Sequence, residues 1–193
     1  MLILFCKINK EGDKMSKKVL VLSASPRRNG NSDILCDQFI KGASEVGHNA
    51  EKIYLGDKKI NYCIACDGCR RNDGVCVHKD DMADILEKMI QADVIVMATP
   101  VYFYTMDAQM KTLIDRTVAR YTEIRNKDFY FIATAADESK QSLEKTFDGF
   151  TGFTECLPGA KDKGYIYGIG AWQKGEIKGN KAMEEAYIMG KSI

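Results

Sequence analysis

The chain has 193 residues, near the ~150-residue prior for a single domain and long enough to bury about 70% of its unfolded surface without disulfides. Its 28 Lys and Arg balance 27 Asp and Glu for a net charge of +1, which excludes a nucleic-acid electrostatic footprint and a polybasic membrane anchor. Hydrophobic residues at 45% and charged residues at 28% exclude global disorder. No apolar run approaches a membrane span, and the run at residues 1–6 meets Lys7 too soon for a secretory signal.

Residues 1–16 read as an N-terminal extension, because Met15-Ser16-Lys17-Lys18 stands like a natural start before an apolar strand. No function is assigned to it, and residues 17–193 are taken as the domain. Short runs rich in β-branched and aromatic residues predict strands at 19–25 (VLVLSAS), 49–55, 93–99 (DVIVMAT), 129–136 (FYFIATAA) and 164–169. Helix-length segments fill the gaps. Residues 31–46 place Ile34, Leu35, Phe39, Ile40 and Ala43 on one face. Residues 80–91 open on an Asp and group Met82, Ile85, Leu86 and Met89. Further helices are expected over 108–120, 138–150 and 181–189.

Strands alternating with helices predict parallel strands joined by right-handed crossovers, with helices covering both faces. The expected fold is a flavodoxin-like α/β three-layer sandwich around a five-stranded parallel sheet of order 2-1-3-4-5.

Three segments carry chemistry. The first, Ser23-Ala-Ser-Pro-Arg-Arg-Asn-Gly-Asn-Ser32, joins the first strand to the first helix. Free N–H groups and the helix dipole favour a phosphate there. Ser25 and Ser32 can donate to its oxygens, and Arg27 adds a charge-assisted contact. The loop is neither a Walker A nor a GxGxxG motif.

The second, Ala98-Thr-Pro-Val-Tyr-Phe-Tyr104, leaves the end of the third strand. The carboxyl ends of the first and third strands flank the switch point of this topology. A proline followed by three aromatics offers a flat wall on which a ring system could lie. Tyr102, Phe103 and Tyr104 are adjacent, so they cannot all face one core.

The third is Cys63-x2-Cys66-x2-Cys69-x6-Cys76, inside a long connection over residues 56–79. Such an insertion in a compact domain is functional or disordered, and four cysteines argue for the former. The short spacings suit an iron–sulfur cluster, tetrahedral zinc, or free and redox-active thiols. Gly68 and Gly74 are expected to provide the tight bends. Clustered cysteines with no sign of secretion point to the cytoplasm. Cys6, Cys36 and Cys156 stand alone among apolar neighbours and read as buried hydrophobes. His48 and His78 are lone loop residues, Asp80-Asp81 reads as a helix start, and Asp115-Arg116 as a structural ion pair. No hydrolase motif is present.

At SASPRRNGNS, CIACDGC…CVHKDDM and ATPVYFYTMDAQMKTLIDR, the sequence resembles the flavodoxin-like NAD(P)H-dependent FMN reductase superfamily. Within it the resemblance is to the iron–sulfur flavoprotein branch, from about Lys17 to the C-terminus. The resemblance implies FMN, with its phosphate on Ser25, Arg27, Asn31 and Ser32. The flavin ring would lie against Pro100, Val101, Tyr102 and Phe103, with Thr134, Ala135 and Ala136 closing the third side. NAD(P)H would be the co-substrate, and no catalytic side chain is needed, because the cofactor carries the chemistry. Cys63, Cys66, Cys69 and Cys76 would be the metal ligands if a 4Fe-4S cluster is held. Electrons would leave to a small-molecule or protein acceptor, with no nucleic acid or membrane involved. The resemblance also implies a homodimer or homotetramer, and Gly170-Ala-Trp172 is expected to complete the pocket, from its own or a neighbouring subunit. The alternative is a non-enzymatic flavodoxin-like electron carrier, which would bind FMN without oxidising nicotinamide.

Overall fold

A computed structural model of the chain describes residues 16–193; the N-terminal extension, apart from Ser16, lies outside them, as does Cys6. The strands are β1 (Lys18–Ser23), β2 (Asn49–Tyr54), β3 (Val94–Tyr102), β4 (Thr105–Met106), β5 (Asp128–Thr134) and β6 (Lys161–Gly168). The helices are α1 (Asn31–Glu45), α2 (Met82–Gln91), α3 (Ala108–Arg116), α4 (Gln141–Thr154) and α5 (Ala182–Lys191).

Five strands pair in parallel in the order β2-β1-β3-β5-β6, while β4 pairs antiparallel with β3. The parallel order is the expected one. The additional strand, β4, is two residues long, too short to leave a periodic signal. Alternation along the central strands serves two cores. Val19 and Val21 of β1 and Val94 and Val96 of β3 pack beneath α1 and α5, together with Phe39 and Ala186. Leu20, Leu22, Ile95 and Met97 point to the opposite face, beneath α2, α3 and α4. The edge strand β2 buries only Ile53, and its Glu51 and Lys52 suit an edge that must stay unpaired.

Several boundaries move for local reasons. The third strand runs through Pro100 to Tyr102 because the chain folds back on itself there. Helix α2 begins at Met82, because Asp80 and Asp81 turn their carboxylates to the loop: Asp80 accepts from Asn61 N–H at 2.9 Å and Asp81 from Lys59 N–H at 2.6 Å. Helix α3 ends at Arg116 and continues as 3-10 turns at Thr117–Ala119 and Tyr121–Glu123.

Three minor expectations change. Cys36 is fully buried as expected, and burial pushes its thiol pKa up, but Cys156 is exposed. Asp115 and Arg116 do not pair; Asp115 bonds Lys111 at 2.6 Å, and Arg116 bonds Asp80. His48 is a buried joint, accepting from Lys17 N–H at 3.2 Å while its Nε2 lies 2.9 Å from the Ile193 carbonyl.

Candidate functional site

The chain leaves β1 towards β2 on one side and reaches β3 on the other, so a crevice opens at their carboxyl ends. A cavity of about 370 Å³ lies there. Ser25, Arg27, Asn31 and Ser32 line it from the first loop, Pro100, Val101, Tyr102 and Phe103 from the end of β3, and Thr134 and Ala135 from the end of β5. The structure thus brings these ten residues, each singled out in the sequence, to one place. Gly30, Ala136, Ala171 and Trp172 complete the wall.

The first loop is shaped before any ligand arrives. Ser25 Oγ donates to the Arg27 carbonyl at 2.9 Å and accepts from Arg27 N–H at 3.2 Å. Gly30 caps α1 without a side chain, leaving the first-turn N–H groups open. A Cβ at Gly30 would lie 2.4 Å from Ser25 Oγ and 2.7 Å from the Arg27 carbonyl, so only glycine fits. Ser32 Oγ is buried without a partner among the described residues. Asp33, not singled out in the sequence, braces the loop from below. It accepts from Ser23 Oγ at 2.8 Å, Asn29 N–H at 2.9 Å and Lys52 Nζ at 3.0 Å. Asn29 sits at φ 53°, a left-handed conformation that Asn tolerates.

Asn31 lines the cavity, and its side chain also ties the first loop to the C-terminal segment. Its side chain donates to the Ala171 and Gln173 carbonyls, both at 3.0 Å, and accepts from Gly175 N–H at 3.0 Å. Only its backbone N–H remains for a ligand. Arg27 also reaches the Trp172 carbonyl at 3.3 Å. The 171–175 segment therefore closes the cavity within one chain.

The aromatic wall is a hairpin tip. Tyr102 pairs with Thr105, and the two residues between, Phe103 and Tyr104, lie at φ 51° and 65°. Positive φ at both central positions is the type I′ turn. It is normally built from Asn and Gly, and two aromatics there store backbone strain of about 1–2 kcal/mol each. Phe103 is fully exposed and Trp172 is 67% exposed. Behind the tip, Asp107 N–H donates to Thr99 Oγ1 at 3.0 Å, and its carboxylate caps α3 by accepting from Met110 N–H at 3.0 Å. The other oxygen of Asp107 is buried without a partner among the described residues. Burial outweighs the Met110 bond and raises the Asp107 pKa to about 6.

The long loop forms a second cavity, of about 220 Å³, lined by all four of Cys63, Cys66, Cys69 and Cys76. Its ends are stapled by Asp80 and Asp81 to residues 59–61. The bends differ from expectation: Ala65, Asp67, Asp73 and Gly74 take positive φ, while Gly68 stays right-handed at φ −57°. Gly68 is instead required by space, since its Cβ would lie 2.6 Å from Val77. Cys63 and Cys66 are exposed, and Cys69 and Cys76 partly covered. Arg116 Nη2 donates to Cys76 Sγ at 3.5 Å. Arg116 Nε and His78 Nε2 are buried without partners among the described residues, and both side chains line this cavity. Among the described residues, no three His, Cys, Asp or Glu side chains converge to hold a single metal ion.

The anion loop, the aromatic wall and the end of β5 thus share one cavity at the switch point of a doubly wound sheet, and its described lining holds no carboxylate, His or Lys side chain. Residues 17–155 match the family model described as NADPH-dependent FMN reductase, and the chain belongs to that family. It is 32% identical over 184 residues to the iron-sulfur flavoprotein MJ1083 of Methanocaldococcus jannaschii, covering 91% of this chain and 95% of that protein. An iron-sulfur flavoprotein of Archaeoglobus fulgidus is 38% identical over 99 residues, but the match spans only 44% of that relative. The putative NAD(P)H-dependent FMN-containing oxidoreductase YwqN of Bacillus subtilis is 27% identical over 178 residues, 88% of this chain and 94% of the relative. Among solved structures, azoreductase AzrA superposes with a TM-score of 0.71 at 17% identity, over 91% of this chain and all of the other. An FMN-dependent NADH-azoreductase from Bacillus anthracis, in complex with FMN, gives 0.70 at 16%, over 91% of this chain and 98% of the other. These two likenesses concern the fold.

Proposed function

We propose that the protein oxidises NAD(P)H through FMN bound in the switch-point cavity and passes the electrons to a small-molecule or protein acceptor. The observation that carries this is the convergence of the loop, the hairpin and the 134–136 segment on one cavity, with an unpartnered Ser32 hydroxyl on its wall. FMN supplies a two-electron acceptor for hydride and a donor in one- or two-electron steps. Ser32, Ser25, Arg27 and the open N–H groups of α1 hold the phosphate, while Asn31 acts indirectly, by fixing the 171–175 segment. Tyr102, Phe103 and Val101 cover one side of the ring. Thr134 and Ala135 close another, held in place by the Ala135 N–H bond to the Gly168 carbonyl at 2.9 Å. No side chain of the cavity serves as a general acid or base.

The cysteine loop suits a 4Fe-4S cluster better than zinc. A cubane places each thiolate on a different iron, whereas zinc needs its ligands gathered round one point. The buried, unpartnered Arg116 Nε–H is a donor an anionic cluster would use, and His78 Nε2, also buried and unpartnered among the described residues, would be a second in the tautomer that carries its proton there. In this reading the loop is a one-electron outlet, and the protein works in the cytoplasm as a homodimer or homotetramer.

FMN titration followed by flavin fluorescence tests the cofactor assignment. Arg27→Ala with Ser32→Ala removes contacts worth roughly 1–3 kcal/mol each, so FMN affinity falls at least tenfold. Unchanged affinity would reduce the loop to a helix start. Nicotinamide oxidation by the wild type, measured at 340 nm, separates the enzyme from an electron carrier that binds FMN alone.

A further inference from the structure

We propose that Arg116, locked in place by Asp80, is a positioning residue for Cys76 and the N–H donor that raises the reduction potential of the cluster held by the cysteine loop. The inference rests on the reading of that loop as a cluster site. Arg116 and Asp80 have side-chain exposures of 2% and 1%. Their contact is a two-pronged fork, Nη1 to Oδ2 at 2.8 Å and Nη2 to Oδ1 at 3.0 Å. Arg116 Nη1 also donates to the Asn61 carbonyl at 2.5 Å. Asp80 is occupied in turn by Asn61 and Met82 N–H groups at 2.9 and 3.2 Å. The guanidinium plane is therefore fixed from two sides before it meets Cys76.

A buried ion pair of this kind gives little net stability, since desolvation offsets the attraction. Its geometry shows what it does instead. The fork turns Nη2 to Cys76 Sγ at 3.5 Å and leaves Nε buried and unpartnered among the described residues, while the Arg116 side chain lines the cavity that all four cysteines line. N–H donors and positive charge beside cluster sulfurs stabilise the reduced, more negative state, which raises the potential, and partners behind a ligand fix its orientation. Position in the fold adds a reason. Helix α3 starts at Ala108, directly after the aromatic hairpin, and ends at Arg116. Nine residues at 1.5 Å each make a strut of about 13 Å between the flavin wall and Cys76.

The test uses full-length protein purified anaerobically and reconstituted with iron and sulfide. Arg116→Lys keeps the charge and loses the fork. Asp80→Asn with Arg116→Gln removes both charges together, so no buried charge is stranded. FMN affinity, read at a cavity that shares none of these residues, reports on folding. The expected result is FMN affinity within twofold of wild type, with the cluster midpoint moved to a more negative potential, or iron content at least halved, in both variants. A thermal shift in the iron-free protein with unchanged midpoint and iron content would make Arg116 merely structural and overturn the inference, while leaving the cluster reading intact. A wild-type protein that takes up no iron would overturn the cluster reading and this inference with it.

Discussion

The side chain of Asn31 accepts a hydrogen bond from the Gly175 N–H at 3.0 Å across 144 residues of sequence, and so makes the C-terminal segment part of the switch-point cavity. The same amide holds the Ala171 and Gln173 carbonyls. Asn31→Ala would release three contacts, each worth about 1 kcal/mol net. FMN affinity in equilibrium titration should fall 5- to 50-fold, because the lost amide holds the 171–175 segment against the cavity. An unchanged dissociation constant would mean the segment does not contribute to binding.

Trp172 is the single tryptophan of the chain, and it stands on the cavity wall. Adding FMN to the FMN-free protein should therefore quench most of the tryptophan emission, with a midpoint equal to the one from flavin fluorescence. Asn31→Ala should weaken the quench at saturation, because the segment that carries the indole is loosened. Emission that ignores FMN would place the flavin elsewhere.

Phe103 and Tyr104 occupy turn positions whose left-handed backbone favours Asn and Gly. Replacing the pair by Asn-Gly should stabilise the FMN-free protein by about 1–2 kcal/mol, visible as a higher urea midpoint. The same change should weaken FMN binding, because the ring loses the Phe103 wall. Stability and binding moving in opposite directions would mark this hairpin as strain kept for function.

Asp107 gives a pH signature. Burial raises its pKa from 3.8 to about 6, so between pH 4 and 6 the folded protein keeps a proton that the unfolded chain has released. The native state then binds more protons, and this group's contribution to stability falls as pH rises through that window. The rise corresponds to roughly 3 kcal/mol at most. Asp107→Asn keeps the cap on α3 and removes the charge. It should be more stable than wild type at pH 7 by up to that amount, and equal to it near pH 4, in urea denaturation at both pH values.

Phe103 and Trp172 expose apolar rings on the wall of one cavity, and Tyr104 is exposed next to Phe103, surface that a monomer would leave in water. Sedimentation at micromolar concentration should give a homodimer or homotetramer. A species of 21.6 kDa would exclude that assembly.

Much of this protein is written locally. Near-continuous apolar runs and helical faces determine the five parallel strands and five helices, because burial on both faces of a sheet demands apolar residues at successive positions. Loop chemistry likewise marks Ser25, Arg27, Ser32 and the Pro100–Phe103 wall, since glycine, hydroxyls and aromatics next to a strand end have few purely structural uses. What the tertiary structure decides are pairings between residues far apart. Asn31 looks like a ligand contact until residues 171–175 arrive to occupy its amide. Arg116 looks paired with its neighbour Asp115 until the cysteine loop brings Asp80 to it, 36 residues away in sequence. The two-residue turn of Phe103 and Tyr104 carries no Asn-Gly signal, because its backbone is held by strand pairing rather than by its own preference. In each case hydrogen-bond donors and acceptors are fixed by sequence, but which of them meet depends on the crossovers that fold distant segments onto the same strand ends.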